Sequence, residues 1–143
     1  MRGVRGLALL LAMAVVPALM PACTAAAGAP AVRTIAVTIH YSHFSPASLT
    51  VSAGDTVRFS ITNRDPIDHE FILGDQALQD KEEAGTDVIH DGTVPGMVSA
   101  PAGRTVSTVV SFPKSSAHGS LIYACHLPGH YAYGMRSLLT ITG

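Results

Sequence analysis

From Arg33 onward apolar and polar residues exchange places with a period of two, not 3.6, so the chain reads as a series of half-buried strands. Val37 and Ile39 alternate with Thr38 and His40, which predicts a strand over about residues 33–41. Pro46 interrupts pairing, and the run Leu-Thr-Val-Ser resumes it before the turn at Ala53, Gly54 and Asp55. The cleanest alternation follows: Val57, Phe59 and Ile61 share one face, while Thr56, Arg58, Ser60 and Thr62 share the other. Asn63 to Pro66 is turn chemistry, and a strand from His69 to Leu73 closes at Gly74. Residues 75–93 are polar and least strand-like; good helix formers from Gln76 to Ala84 predict a short helix or an irregular lobe. Strand signals return over 97–100, 104–112, 120–125 and 136–142. Seven or eight short strands cut by Gly and Pro turns, without a long helix, predict an all-β sandwich or barrel.

Composition changes this picture mainly at the N-terminus. Arg2 and Arg5, the apolar run from Leu7 to Val16, and small residues up to Cys23 have the layout of a secretory leader, assigned to residues 1–22. Two kinds of processing are open. Met20 to Cys23 loosely resembles a lipoprotein box, which would tether the protein to a membrane through a lipidated Cys23; cleavage near Ala27 or Ala29 would release it. Residues 23–32, with no large apolar side chain beyond Val32, read as a flexible tether, and residues 33–143 as one domain. Either route predicts an exported protein, periplasmic or extracellular. The chain carries 9 Lys+Arg against 10 Asp+Glu; without Arg2 and Arg5 the balance is 7 against 10, near −3. No basic patch with interleaved aromatics occurs, so nucleic-acid binding is unsupported.

The candidate chemistry lies in Tyr123 to Met135, YACHLPGHYAYGM. Cys125, His130 and Met135 follow one another with four residues between each pair. A thiolate, an imidazole and a thioether are soft or borderline donors that suit copper, whereas calcium and magnesium demand oxygen. A lone thiol in an oxidising compartment also wants a reason, and metal ligation supplies one. The mononuclear electron-transfer geometry needs a second imidazole, with Met as a weak axial ligand. His69, in DHEFILG, is the candidate.

In this order LTVSAGDTVRFSITN, DHEFILG and YACHLPGHYAYGM resemble the cupredoxins, the family of small blue or green copper proteins. The resemblance covers residues 33–143 and implies a Greek-key β-sandwich holding one copper ion that alternates between Cu(II) and Cu(I). It makes His69 and His130 the imidazole ligands, Cys125 the thiolate and Met135 the axial thioether. The chain departs from the family at Glu70, where an Asn often follows the first ligand. Asn63 and Glu70 are the neighbours to watch for a role behind the ligands.

The remaining histidines have a plainer first reading. His40, His43, His90 and His118 are expected at the surface or at strand ends, although His40 and His43 together with His90 would make a second, looser metal set. His126 follows Cys125 directly, and adjacent strand residues face opposite ways, so it should point away from the metal. The expected function is one-electron transfer without catalysis, through a redox partner docking on the apolar rim of Leu127, Pro128, Tyr131 and Tyr133. The alternative is extracytoplasmic copper sequestration, delivery or resistance with a copper-handling partner. A subunit of a copper oxidase or nitrite reductase would need a second metal centre, and zinc would gain little from Met135.

Overall fold

The computed structural model describes residues 31–85, 89–116 and 118–143. The expected leader and most of the tether lie outside the described residues. Nine strands and one helix follow in the order β1 (Val32–His40), β2 (His43–Ser45), β3 (Ser48–Ser52), β4 (Thr56–Asn63), β5 (His69–Gly74), α1 (Gln76–Ala84), β6 (Met97–Ala100), β7 (Thr105–Ser111), β8 (Gly119–Ala124) and β9 (Arg136–Thr142). They form a β-sandwich: one sheet runs β2-β1-β4-β7, the other β3-β9-β8-β5-β6. Two pairs, β1 with β4 and β3 with β9, are parallel, so the chain repeatedly crosses between sheets and does not simply meander.

The alternation in β4 does what it predicts. Val57, Phe59 and Ile61 are fully buried, and they meet Val37 and Ile39 of β1, Phe71 of β5, Tyr123 of β8 and Leu139 of β9 in a continuous core. Phe59 and Phe71 lie with ring centroids 5.4 Å apart, and Phe71 and Tyr123 5.5 Å apart, so aromatic contacts tie the two sheets together.

Two elements decide the shape of the site. The first is β5, an interior strand between β8 and β6, which is buried on both faces from His69 to Leu73. Its inner face enters the core. Its outer face, carrying Glu70 and Ile72, is covered because α1 packs there: the buried Gln79 donates from Nε2 to the carbonyls of Ile72 and Ile122, at 3.3 and 3.0 Å. Asp75 caps the helix, accepting from the Leu78 amide at 2.9 Å. The helix occupies the stretch of helix formers the sequence marks.

The second is β2, a three-residue strand that raises the number of strands above the expected seven or eight. It pairs with β1 through a two-residue connection, Tyr41 and Ser42, both at positive φ (52° and 56°). A hairpin of this length needs that hand of turn, but neither residue is Gly or Asn, and each left-handed L-residue costs roughly 1–2 kcal/mol. The offset comes from Asp65, whose two carboxylate oxygens accept from the Tyr41 and Ser42 amides, each at 2.7 Å.

Candidate metal centre

His69 opens β5, Cys125 directly follows β8, and His130 lies in the loop between β8 and β9. Strand pairing of β5 with β8 brings the first two together from distant parts of the chain. His130 is returned to them by a tight turn: its amide donates to the Leu127 carbonyl at 2.9 Å, across Pro128 and a Gly129 at φ +85°. Proline followed by a positive-φ glycine is the type II turn pattern. The loop is then closed on itself, with the Met135 amide donating to the His130 carbonyl at 3.0 Å and the Cys125 amide to the Met135 carbonyl at 3.2 Å.

The donor atoms of His69, Cys125 and His130 all lie within 4.8 Å of one another. Cys125 Sγ is 3.2 Å from His130 Nδ1. Met135 is buried beside them at the end of the same loop. The four residues the sequence singles out are therefore carried by one end of the sandwich, three with converging donors and the fourth tied to the other two loop residues by backbone bonds.

His69 itself shows what the cluster is suited to. Its Nε2–H donates to Asp65 Oδ2 at 2.9 Å, which leaves Nδ1 as the lone-pair nitrogen. That Nδ1 is buried and has no hydrogen-bond partner among the described residues. A buried polar atom without a partner costs about 1–3 kcal/mol, and a bound cation would remove that cost. Burial, the larger effect, then repulsion from His69 lower the His130 pKa, which favours its neutral, ligating form. Burial pushes the Cys125 thiol up to about 11, against the opposing pull of the Leu127 and Glu70 amides directed at it. A cation is what would bring a thiolate into such a dry place. Two imidazoles, one thiolate and an adjacent thioether fit copper by donor softness.

Behind the donors stands a second layer, part of which the sequence did not point to. Asp65, four residues before His69, orients the ring, and Asn63 holds Asp65 in turn: its Oδ1 accepts from the Asp65 amide at 2.9 Å while its Nδ2 donates to the carbonyls of Ile67 and Ala100, both at 2.8 Å. Burial would raise the Asp65 pKa, but the Ser42 and Tyr41 amides and His69 outweigh it and hold the carboxyl below its ordinary value. The Asp-x-x-x-His spacing was the available signal. Glu70 turns outward, and its Oε2 accepts from the His126 amide at 3.1 Å; burial raises its pKa.

His126 points away from the donors, as adjacent-residue alternation predicts: its ring nitrogens lie 2.9 Å from Glu83 Oε2 and 2.7 Å from Gln79 Oε1, and its ring stacks on Tyr131. The looser set of His40, His43 and His90 is not assembled. His40 and His43 face each other on the β1–β2 hairpin and bond Asp65 and the Tyr41 carbonyl, whereas His90 is hydrogen-bonded to Ser99 of the other sheet. Around the site lie the exposed side chains of Tyr133, 91% accessible, Ile89 and Ile67, and a shallow cavity lined by Asp68, His69, Ile89, Ser99, Pro101 and Leu127.

A two-sheet β-sandwich with a buried cluster of one thiol and two imidazoles at one end defines a copper-binding, cupredoxin-like protein. The chain belongs to the cupredoxin-like domain family, whose model matches residues 9–95, a span that includes His69. It is 38% identical to the copper-resistant cuproprotein CopI of Rubrivivax gelatinosus over 75% of this chain and 65% of that protein, so it spans somewhat less than two thirds of that relative's length. To the copper-resistant cuproprotein CopI of Pseudomonas aeruginosa it is 31% identical over 81% of this chain and 80% of the relative. Among solved structures, auracyanin B shares the fold with a TM-score of 0.62 at 23% identity, covering 81% of this chain and 92% of the other.

Proposed function

We propose that His69, Cys125, His130 and Met135 hold a single copper ion and that the protein is an exported, non-catalytic one-electron carrier. Copper so held supplies Cu(II)/Cu(I) exchange without a substrate being transformed. The convergence of three donors on a point faced by the partnerless Nδ1 of His69 carries this reading. Asp65 fixes one ring, the turn at Pro128 and Gly129 fixes the other, and the buried Cys125 keeps water from the sulfur. Ligands that do not rearrange between oxidation states keep reorganisation small. Half-buried His130 and the rim of Leu127, Pro128, Tyr131 and Tyr133 supply the docking face for a redox partner protein.

The names of the two relatives favour a second reading, extracytoplasmic copper resistance by sequestration or delivery through the same ligands. Export rests on the leader-like residues 1–22, and a membrane tether on lipidation of Cys23.

Visible absorption and electron spin resonance of the copper-loaded protein test the ligand set. An intense thiolate charge-transfer band with narrow copper hyperfine splitting is expected, and it should vanish in Cys125→Ser; colour surviving that substitution defeats the proposal. Met135→Leu, a nearly volume-conserving change at a weak bond, should shift the potential while copper stays bound. Voltammetry separates the two roles: reversible cycling with copper retained in both states belongs to a carrier, and rapid loss of Cu(I) to a chelator belongs to copper handling.

A further inference from the structure

Asp65 has an imidazole at each of its two oxygens. His69 Nε2 lies 2.9 Å from Oδ2, and His40 Nδ1 lies 3.3 Å from Oδ1. The His69 side chain is fully buried, whereas that of His40 is 48% accessible. Among the described residues no other imidazole or cationic side chain lies within ion-pair distance of Asp65, which is itself buried. The carboxylate therefore joins a ring in the metal centre to a ring in contact with solvent. This arrangement is held by the backbone. The Arg64 amide donates to the Ile39 carbonyl at 2.9 Å, which ties the residue before Asp65 to the residue before His40. Tyr41 and Ser42, the two residues after His40, direct their amides at the same carboxylate. The His40 ring rests against that of Tyr41, with centroids 3.9 Å apart.

A carboxylate that accepts the far N–H of a ligating imidazole raises the basicity of that imidazole, so the charge on Asp65 is felt at the donor atom, His69 Nδ1. Protonation of His40 sets a cation at contact distance from this carboxylate, in a place where salt screens little. Asp65 Oδ2 then pulls less on the His69 N–H, and Nδ1 becomes a weaker donor. Neutral His40 restores it. We infer that His40 is a positioning residue for the metal centre, setting the donor strength of His69 through Asp65 as its own charge changes. The inference rests on the reading of His69 as a copper ligand, and it holds for either role of the copper. The charged or titratable residues beside His40 are Asp65 and Arg64 from the connection after β4, and Tyr41 and His43 from its own hairpin; of these only Asp65 pairs with it. The sign follows from charge. A weaker donor disfavours Cu(II) more than Cu(I), so the potential rises as the pH falls. Reduction then takes one electron from the reductant and a fraction of a proton from water, the proton going to the His40 ring, and by linkage the reduced form holds that proton more tightly.

The test compares the unmutated chain with His40→Gln, which keeps a neutral polar group at a half-exposed strand end and removes the titration. In the metal-free protein, nitrogen and proton resonances of the imidazoles are followed from pH ~5 to pH ~8. The His69 Nε2–H signal should move with the same midpoint as the His40 ring, and this movement should vanish in His40→Gln. In the copper-loaded protein, voltammetry over the same range should show a potential that rises as the pH falls. The part of the rise lost in His40→Gln should reflect at least a threefold difference in proton binding between the two oxidation states, about 28 mV at 59 mV per tenfold. Asp65→Asn should lose that part too, and His43→Gln, on the same hairpin but without a contact to Asp65, should keep it. Equal pH dependence in the unmutated protein and His40→Gln overturns the inference. So does a dependence that survives Asp65→Asn, which would mean that His40 acts on the metal directly. Failure of the ligand reading shows separately, as a missing thiolate band. The metal-free spectra then decide alone: coupled movement of the two rings supports the relay, and a stationary His69 signal overturns it.

Discussion

Asp65 is the residue on which two strained features lean at once. Its oxygens collect the amides of left-handed Tyr41 and Ser42, and one of the same oxygens receives the Nε2–H of His69. Asp65→Asn keeps the shape but turns one acceptor into a donor facing N–H groups. The metal-free protein should lose on the order of 1–3 kcal/mol in chemical denaturation. Copper affinity, read by chelator competition, should fall by about ten- to hundredfold, because the ring loses its orienting partner. The acid limb should change too. A carboxyl held below its ordinary value of 3.8 in the folded state contributes stability above that value, and the contribution disappears as the pH falls through the lowered one. The variant should therefore show a flatter loss of stability below pH ~4. Equal steepness in both proteins would remove Asp65 from the account.

At the scale of elements, what the sequence made legible was whatever depends on local pattern. The alternation of β4 and the helix formers of α1 led to the right element in nearly the right place, and the Cys125, His130 and Met135 spacing located the loop. What escaped depends on contacts between distant segments. β2 is three residues long and exists because Asp65, far along the chain, stabilises its turn. β5 reads from its sequence as a short apolar strand, yet its second buried face is created by α1, so the burial of Glu70 on that outer face could not be foreseen from its neighbours. Asn63 was singled out and does support the site, but through Asp65 and without touching His69. The docking of α1 has its own prediction. Gln79→Leu preserves volume but strands the Ile122 carbonyl and the His126 ring nitrogen that bonds Gln79 Oε1. Denaturation should report a loss of about 1–3 kcal/mol. The copper charge-transfer band should remain, because none of the stranded groups is a donor to the metal site.

For the whole molecule, folding and metal loading are linked through the one proton on Cys125. The thiol is pushed up to about 11 by burial, from an ordinary 9.0. In the metal-free fold it is therefore protonated at neutral pH, and copper must displace that proton. Apparent copper affinity should then rise by about tenfold per pH unit between pH ~7 and the region of that pKa, wherever His130 is already neutral. Stability of the metal-free protein should move in the opposite direction. Between the ordinary and the raised pKa the folded state binds the proton more tightly than the unfolded chain does, so this contribution is complete below the ordinary value and is lost as the pH climbs through the raised one. The copper-loaded protein has no thiol proton to lose and should show no such decline. Its advantage over the metal-free form grows by about 1.4 kcal/mol for every tenfold excess of free copper over the dissociation constant. Denaturation midpoints of both forms, taken from neutral pH to above pH ~10, should diverge as the pH rises. Parallel curves, or copper uptake without release of a proton in a weakly buffered titration, would mean that the sulfur of Cys125 is not what the metal displaces.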